Sequence, residues 1–286
     1  MTEGQRAGHV RTRTSLPSIP TILVFDSGLG GLTVFREVLK TRSSAHFVYA
    51  ADDAFFPYGR HGESELVARV VAVIGDLIAV HAPDVVVIAC NTASTIALPE
   101  LRRRFRVPFV GTVPAIKPAC LASASKRVSV FGTEATVARE YTKALIRDFA
   151  QGCDVTLVGS AKLAAMAESA LLGQPIDATA LAAEIAPCFV GGGQRRTDTV
   201  VLACTHYPLL LDQLERHAPW PVTFVDPAPA IARRVGELLG DDPSVGTRHA
   251  REVFTSGRPP SAALATTLAR FGIAATTTFD TPAVSP

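Results

Sequence analysis

The 286-residue chain has no apolar run near the ~20 residues needed to cross a bilayer, so no membrane association is expected. It has no surplus of charge either. Its 28 basic and 26 acidic side chains leave a net +2, which argues against a nucleic-acid binder held by phosphate contacts. The five cysteines (Cys90, Cys120, Cys153, Cys188 and Cys204) form no CxxC pair and no dense framework. They therefore read as reduced thiols of a cytoplasmic protein rather than a disulfide scaffold. Lysine is scarce, with only Lys40, Lys117, Lys126, Lys143 and Lys162. None lies in the motifs described below, which leaves no evident Schiff-base partner for pyridoxal phosphate, and no cofactor is expected.

What is present is a 48% hydrophobic composition, enough for one large domain or two modest ones. Residues 1–20 carry Arg6, Arg11 and Arg13 against the single acid Glu3 and read as a flexible extension, with a transit peptide as the rival reading. From Thr21 onward, short β-type runs alternate with helical ones. Ile22–Phe25, Phe47–Ala50 and Val85–Cys90 are predicted strands. Leu32, Phe35, Val38 and Leu39 have helical spacing, as do Leu66, Val67, Val70, Val71, Ile74, Leu77 and Ile78. The wholly apolar run before Cys90 suits a parallel strand covered on both faces, and such sheets place their sites beyond the carboxyl ends of the strands.

The chain also repeats itself. Asp84-Val-Val-Val-Ile-Ala-Cys90-Asn91-Thr92 matches Asp198-Thr-Val-Val-Leu-Ala-Cys204-Thr205-His206 position for position. Ile22-Leu-Val-Phe25-Asp26-Ser27 resembles Val128-Ser-Val-Phe131-Gly132-Thr133, and Val107–Val110 has a counterpart in Pro221–Val225. Three elements recur in one order, at a period too long for a solenoid. The expected fold is therefore α/β with two pseudo-symmetric domains, each a mostly parallel sheet covered by helices. The predicted division is 21–114 plus 227–286 for the first domain and 115–226 for the second.

One thiol at the end of a buried strand is usually a small hydrophobe. Two at matched positions of duplicated halves are harder to dismiss. Across a pocket between the halves, they could serve opposite faces of one carbon, one removing a proton while the other delivers one. Zinc bound by Cys90, Cys204 and His206 is a rival, as is a Cys204–His206 hydrolase that leaves Cys90 unexplained. Asp26-Ser-Gly-Leu-Gly-Gly31 forms a strand-to-helix turn whose N–H groups could hold an amino-acid carboxylate. It contains neither GxGxxG nor a Walker lysine. Cys120, Cys153 and Cys188 have no repeat partners and read as structural.

These motifs resemble the glutamate racemases, within the wider aspartate/glutamate racemase superfamily. The likeness rests on Val24-Phe-Asp26-Ser27-Gly-Leu-Gly-Gly-Leu-Thr33, Pro57-Tyr58-Gly59, Ala89-Cys90-Asn91-Thr92-Ala93 and Ala203-Cys204-Thr205-His206-Tyr-Pro-Leu-Leu210. It implies cofactor-independent interconversion of L-glutamate and D-glutamate, the latter feeding peptidoglycan. It also implies that Cys90 and Cys204 are the acid/base pair, assisted by Asp26 and His206 respectively. Asp26, Ser27, Tyr58, Gly59, Asn91, Thr92, Thr133, Thr136, Thr205 and His206 would line the glutamate pocket, and a weaker segment match adds Glu168. No metal is implied. Ala51-Asp52-Asp53, Phe55 and the N-terminal extension resemble the subgroup activated by UDP-N-acetylmuramoyl-L-alanine, with residues 1–20 expected to order around that anion. A monomer or homodimer is expected. An aspartate or other amino-acid racemase of the same superfamily and a non-catalytic amino-acid-binding regulator are the alternatives.

Overall fold

The computed structural model describes residues 19–150, 152–193, 195–240 and 249–273. The expectations for the basic N-terminal segment fall outside the described residues. Strand β1 (Thr21–Asp26) turns into helix α1 (Leu32–Thr41), followed by β2 (His46–Ala51), α2 (Glu63–His81), β3 (Val85–Ile88), α3 (Asn91–Arg104) and β4 (Phe109–Gly111). The chain then crosses to α4 (Ile116–Ala122), β5 (Arg127–Thr133), α5 (Glu134–Ala138), α6 (Glu140–Phe149), β6 (Asp154–Ser160), α7 (Leu163–Leu171) and α8 (Ala178–Ile185). A two-stranded hairpin, β7 (Gly191–Gly192) and β8 (Arg195–Arg196), precedes β9 (Thr199–Ala203), α9 (Leu211–His217) and β10 (Thr223–Val225). Helix α10 (Ala228–Leu239), β11 (His249–Phe254) and α11 (Ala262–Arg270) return to the first sheet.

Two all-parallel sheets result, in the orders β11-β2-β1-β3-β4 and β10-β9-β5-β6. The sequence repeat is a structural one. Strands β2-β1-β3-β4 of the first sheet correspond to β6-β5-β9-β10 of the second. The register is also shared: Phe25 pairs with Ile88 in the first sheet, and the matching Phe131 pairs with Leu202 in the second. Strand β11 is an addition at the first sheet's edge.

Burial follows the pleat. Ile22 and Val24 of β1 pack with α1 and α10, whereas Leu23 and Phe25 pack with α2 and α3. Apolar layers on both faces explain why Val85–Ile88 carries no polar side chain. The second sheet is likewise covered on both faces. The predicted strand through Cys90 stops earlier, at Ile88, because Cys90 leaves the ladder to become the N-cap of α3. Its sulfur accepts the Ala93 N–H at 3.5 Å.

Buried thiols give the fold an alkaline limit. Burial pushes Cys188, which has no exposed surface, far above its ordinary value, and pushes Cys90 up to about 12. The unfolded chain releases these protons near pH 8.5, while the folded chain keeps them. Stability contributed by each is complete below that pH and falls above it by about 1.4 kcal/mol per pH unit. Urea unfolding at successive pH values from 8 upward is expected to show this decline, and a shallower one for Cys188→Ala. Identical slopes for the two proteins would contradict the assignment.

Candidate active site

The carboxyl ends of the central strands of both sheets face one cavity. Ser27, Tyr58, Gly59, Cys90, Asn91 and Thr92 line it from the first sheet's side, and Thr133, Thr136, Cys204, Thr205 and His206 from the second's. Asp26 and Glu168 stand behind this lining. The sequence-predicted residues are thus brought together, and Phe56, Pro57 and Ala164 join them. The cavity is small, about 30 Å³.

The two thiols have different neighbours. The Cys90 S–H donates to Ser27 Oγ at 3.6 Å, and burial, then the Asp26 charge, holds its proton on. The Cys204 sulfur lies 3.8 Å from His206 Nδ1, and His206 Nε2 lies 2.9 Å from Glu168 Oε1. Burial opposes a charge on His206, but hydrogen bonds to Cys204 and Glu168 outweigh it and hold the imidazole well above its ordinary value. The imidazolium therefore donates from both nitrogens. The Gly30 amide, 3.1 Å from Nε2, is then a close neighbour rather than a donor.

The glycine turn departs from its expected use. Its N–H groups bind the protein's own carboxylates. Gly31 and Gly28 donate to Asp26 Oδ2 at 2.9 and 3.3 Å, and Leu29 donates to Glu168 Oε1 at 2.7 Å. A side chain at Gly28 would strike Glu168, and one at Gly30 would strike the His206 ring. The glycines allow the second half's acid and imidazole to dock on the first half's turn.

Some polar groups have no partner. Both polar atoms of the Asn91 amide and Oδ1 of Asp26 are buried without a hydrogen bond. Burial also raises the Asp26 carboxyl, against the His206 charge and the two amides that lower it. Each orphaned group costs about 1–3 kcal/mol, which is tolerable where a polar ligand supplies the missing bonds. The Thr92 hydroxyl bridges the halves, 3.4 Å from those of Thr133 and Thr136, which lie 2.9 Å from each other.

Several supporting contacts had no signal in the sequence. Tyr49 donates to Gly28 O at 2.7 Å, and Thr33 to Thr205 O at 3.1 Å. Tyr58 presents its ring to the cavity, but its hydroxyl donates to Asp52 Oδ2 at 2.7 Å. Asp52 is clamped in turn by Arg69, at 2.7 and 3.1 Å, and by Thr255. Asp52 was visible in the sequence only as part of an unusual Ala-Asp-Asp run. Among the described residues, no three His, Cys, Asp or Glu side chains converge as metal ligands would.

Comparison with known proteins agrees with this arrangement. Residues 30–235 match the Asp/Glu/hydantoin racemase family. A glutamate racemase from Brucella ovis is 51% identical over 255 residues, covering 86% of this chain and 92% of that protein. The crystal structure of the Escherichia coli glutamate racemase, in complex with L-glutamate and the activator UDP-MurNAc-ala, superposes with a TM-score of 0.81. It is 39% identical and covers 89% of this chain and 96% of its own. The glutamate racemase from Aquifex pyrophilus is 29% identical with a TM-score of 0.68, covering 89% of this chain and 96% of its own. Two parallel sheets in matched order, two thiols at matched strand ends and this breadth of likeness lead to one conclusion: the chain belongs to the Asp/Glu/hydantoin racemases, among the glutamate racemases, whose product D-glutamate serves peptidoglycan.

Proposed function

We propose that Cys90 and Cys204 are the opposed acid and base of a direct proton exchange at the α-carbon of glutamate. The supporting observation is a pair of buried sulfurs at equivalent strand ends on one cavity, beside an Asn91 amide with both polar atoms unengaged. Starting from L-glutamate, the Cys204 thiolate takes the α-proton and the electron pair moves into the substrate carboxylate. The Cys90 thiol then delivers its proton to the opposite face. D-glutamate leaves with Cys204 protonated and Cys90 as thiolate, and the reverse reaction restores the first state. The chemistry needs no cofactor.

The α-proton is far less acidic than a thiol, so the developing charge must meet oriented donors in a water-poor site. Asn91, Ser27, Thr92 and Thr205 supply them. His206, held by Glu168, donates to the Cys204 sulfur. Asp26 acts on Cys90 through its charge and offers its free oxygen to the substrate ammonium. We assign residues 21–114 with those from 227 onward to one domain and 115–226 to the other, with a cytoplasmic location for the chain.

The described residues also hold a cavity of about 810 Å³ beside β4, lined by Arg102, Arg103, Arg104, Arg106 and Arg234. We assign it to an anionic activator of the UDP-N-acetylmuramoyl-L-alanine type, following the compound bound by the Escherichia coli relative. A circular dichroism assay of both glutamate and both aspartate enantiomers, after dialysis against a chelator, tests the reading. Signal decay with glutamate alone is expected. The activator should raise this rate in the wild type but not in the Arg103→Ala, Arg106→Ala protein. Turnover only with added pyridoxal phosphate or metal would overturn the proposed mechanism.

A further inference from the structure

Three of the five thiols take no part in the reaction, and two of these meet. The Cys153 S–H donates to the Cys120 backbone oxygen at 3.5 Å. The Cys120 thiol is pushed up to about 12 by burial and by the Cys153 side chain, which hydrogen-bonds it. Cys120 is buried in α4, while Cys153 is half-buried in the turn before β6 and open to small reagents. The Lys126 Nζ donates to the same Cys120 oxygen at 3.0 Å, so an ammonium group and the Cys153 sulfur share one acceptor. Lys126 stands in the left-handed region, at φ 59°. L side chains rarely adopt that conformation. A half-buried thiol that shares an acceptor with a cation, with a second thiol behind it, is the arrangement of an oxidisable pair.

We propose that Cys120 and Cys153 form a redox modification site, separate from the reacting sulfurs, that closes to an intramolecular disulfide under peroxide-class oxidants. Cys153 gives up its proton to solvent, where it later joins the released hydroxide as water, and its sulfur attacks one peroxide oxygen. The O–O bond breaks, hydroxide leaves, and a sulfenic acid forms on Cys153. The Cys120 sulfur then attacks the sulfenic sulfur, losing its proton as the S–OH oxygen departs as water. Two thiols are oxidised by two electrons in all, and one peroxide is reduced to two waters. A dithiol reductant reverses the bond, so the reducing cytoplasm keeps the site open except under oxidative challenge.

The bond would tie α4 to the head of β6. Helix α4 directly follows the segment that crosses between the sheets. Its Lys117 faces Arg234 and Ile231 of α10 across a cleft of about 300 Å³. The disulfide would therefore anchor the second sheet's side of that crossing.

The test uses the full chain saturated with glutamate, which shields Cys90 and Cys204. Hydrogen peroxide is added in small molar excess, free thiols are alkylated, and peptides are mapped by mass spectrometry. A linked Cys120–Cys153 peptide that dithiothreitol removes is the expected result. Cys153→Ser should lack it while racemising normally when reduced. Lys126→Met should form it several-fold more slowly. Oxidation of Cys153 to sulfinic acid with no linked peptide would overturn the proposal, and an unchanged rate in Lys126→Met would remove the lysine from it.

Discussion

Cys90→Ala and Cys204→Ala are each expected to lose racemisation in both directions, by about 10³–10⁴-fold or more. Each direction needs one base and one acid, so neither enantiomer can be spared by keeping one sulfur. Proton exchange separates the two. The family resemblance implies that Cys90 should face the D-enantiomer and Cys204 the L-enantiomer. In deuterated water, Cys204→Ala should therefore exchange the α-hydrogen of D-glutamate but not L-glutamate, and Cys90→Ala the reverse. The readout is deuterium incorporation without inversion. Near-normal racemisation by either single variant would refute the opposed pair. Both side chains are small and buried, so the truncations cost modest packing and the proteins should remain folded.

Asn91→Ala should move stability and catalysis in opposite directions. The amide is buried at the start of α3 with neither polar atom bonded, so in the empty protein it is a cost. Removing it relieves about 1–3 kcal/mol of desolvation, partly offset by lost packing. The melting temperature is expected to hold or rise. If the same amide binds the substrate carboxylate as charge develops, kcat/KM should fall about 10²–10³-fold. Thermal unfolding and steady-state kinetics on one preparation decide it. Lower stability with full activity would mean that Asn91 serves the fold alone.

Much of this architecture was legible in the sequence because duplication wrote it twice. The match of Asp84–Thr92 to Asp198–His206 located both thiols and predicted two similar halves, and the shared register of β1 with β3 and β5 with β9 is its physical counterpart. The strand through Cys90 was drawn two residues too long. Hydrophobic runs mark burial, and a buried cap residue looks like a strand residue. The glycine turn was assigned a substrate carboxylate because its N–H groups are visible in sequence, whereas the acids that dock there come from residues far along the chain. Tyr49 and Arg69 act through contacts between separate segments and leave no local signature, and the motifs that contain Thr33 and Asp52 do not reveal what those side chains bond. The Cys120–Cys153 encounter was missed for the same reason, since thirty-three residues separate the two.

The unequal surroundings of the two sulfurs have a consequence for the energetics of turnover. One stands by an imidazolium held by a carboxylate, the other by a hydroxyl and a buried acid. The free substrates are mirror images, and in water their free energies are identical, so the equilibrium constant is one whatever the protein does. It follows that kcat/KM must be the same from either enantiomer, because both directions cross one barrier from reference states of equal height. The protein's handed environment can make one bound enantiomer more stable than the other. Any such preference lowers KM and kcat for that enantiomer by the same factor. Asymmetry in the site can therefore set which enantiomer accumulates on the enzyme, but never which accumulates in solution.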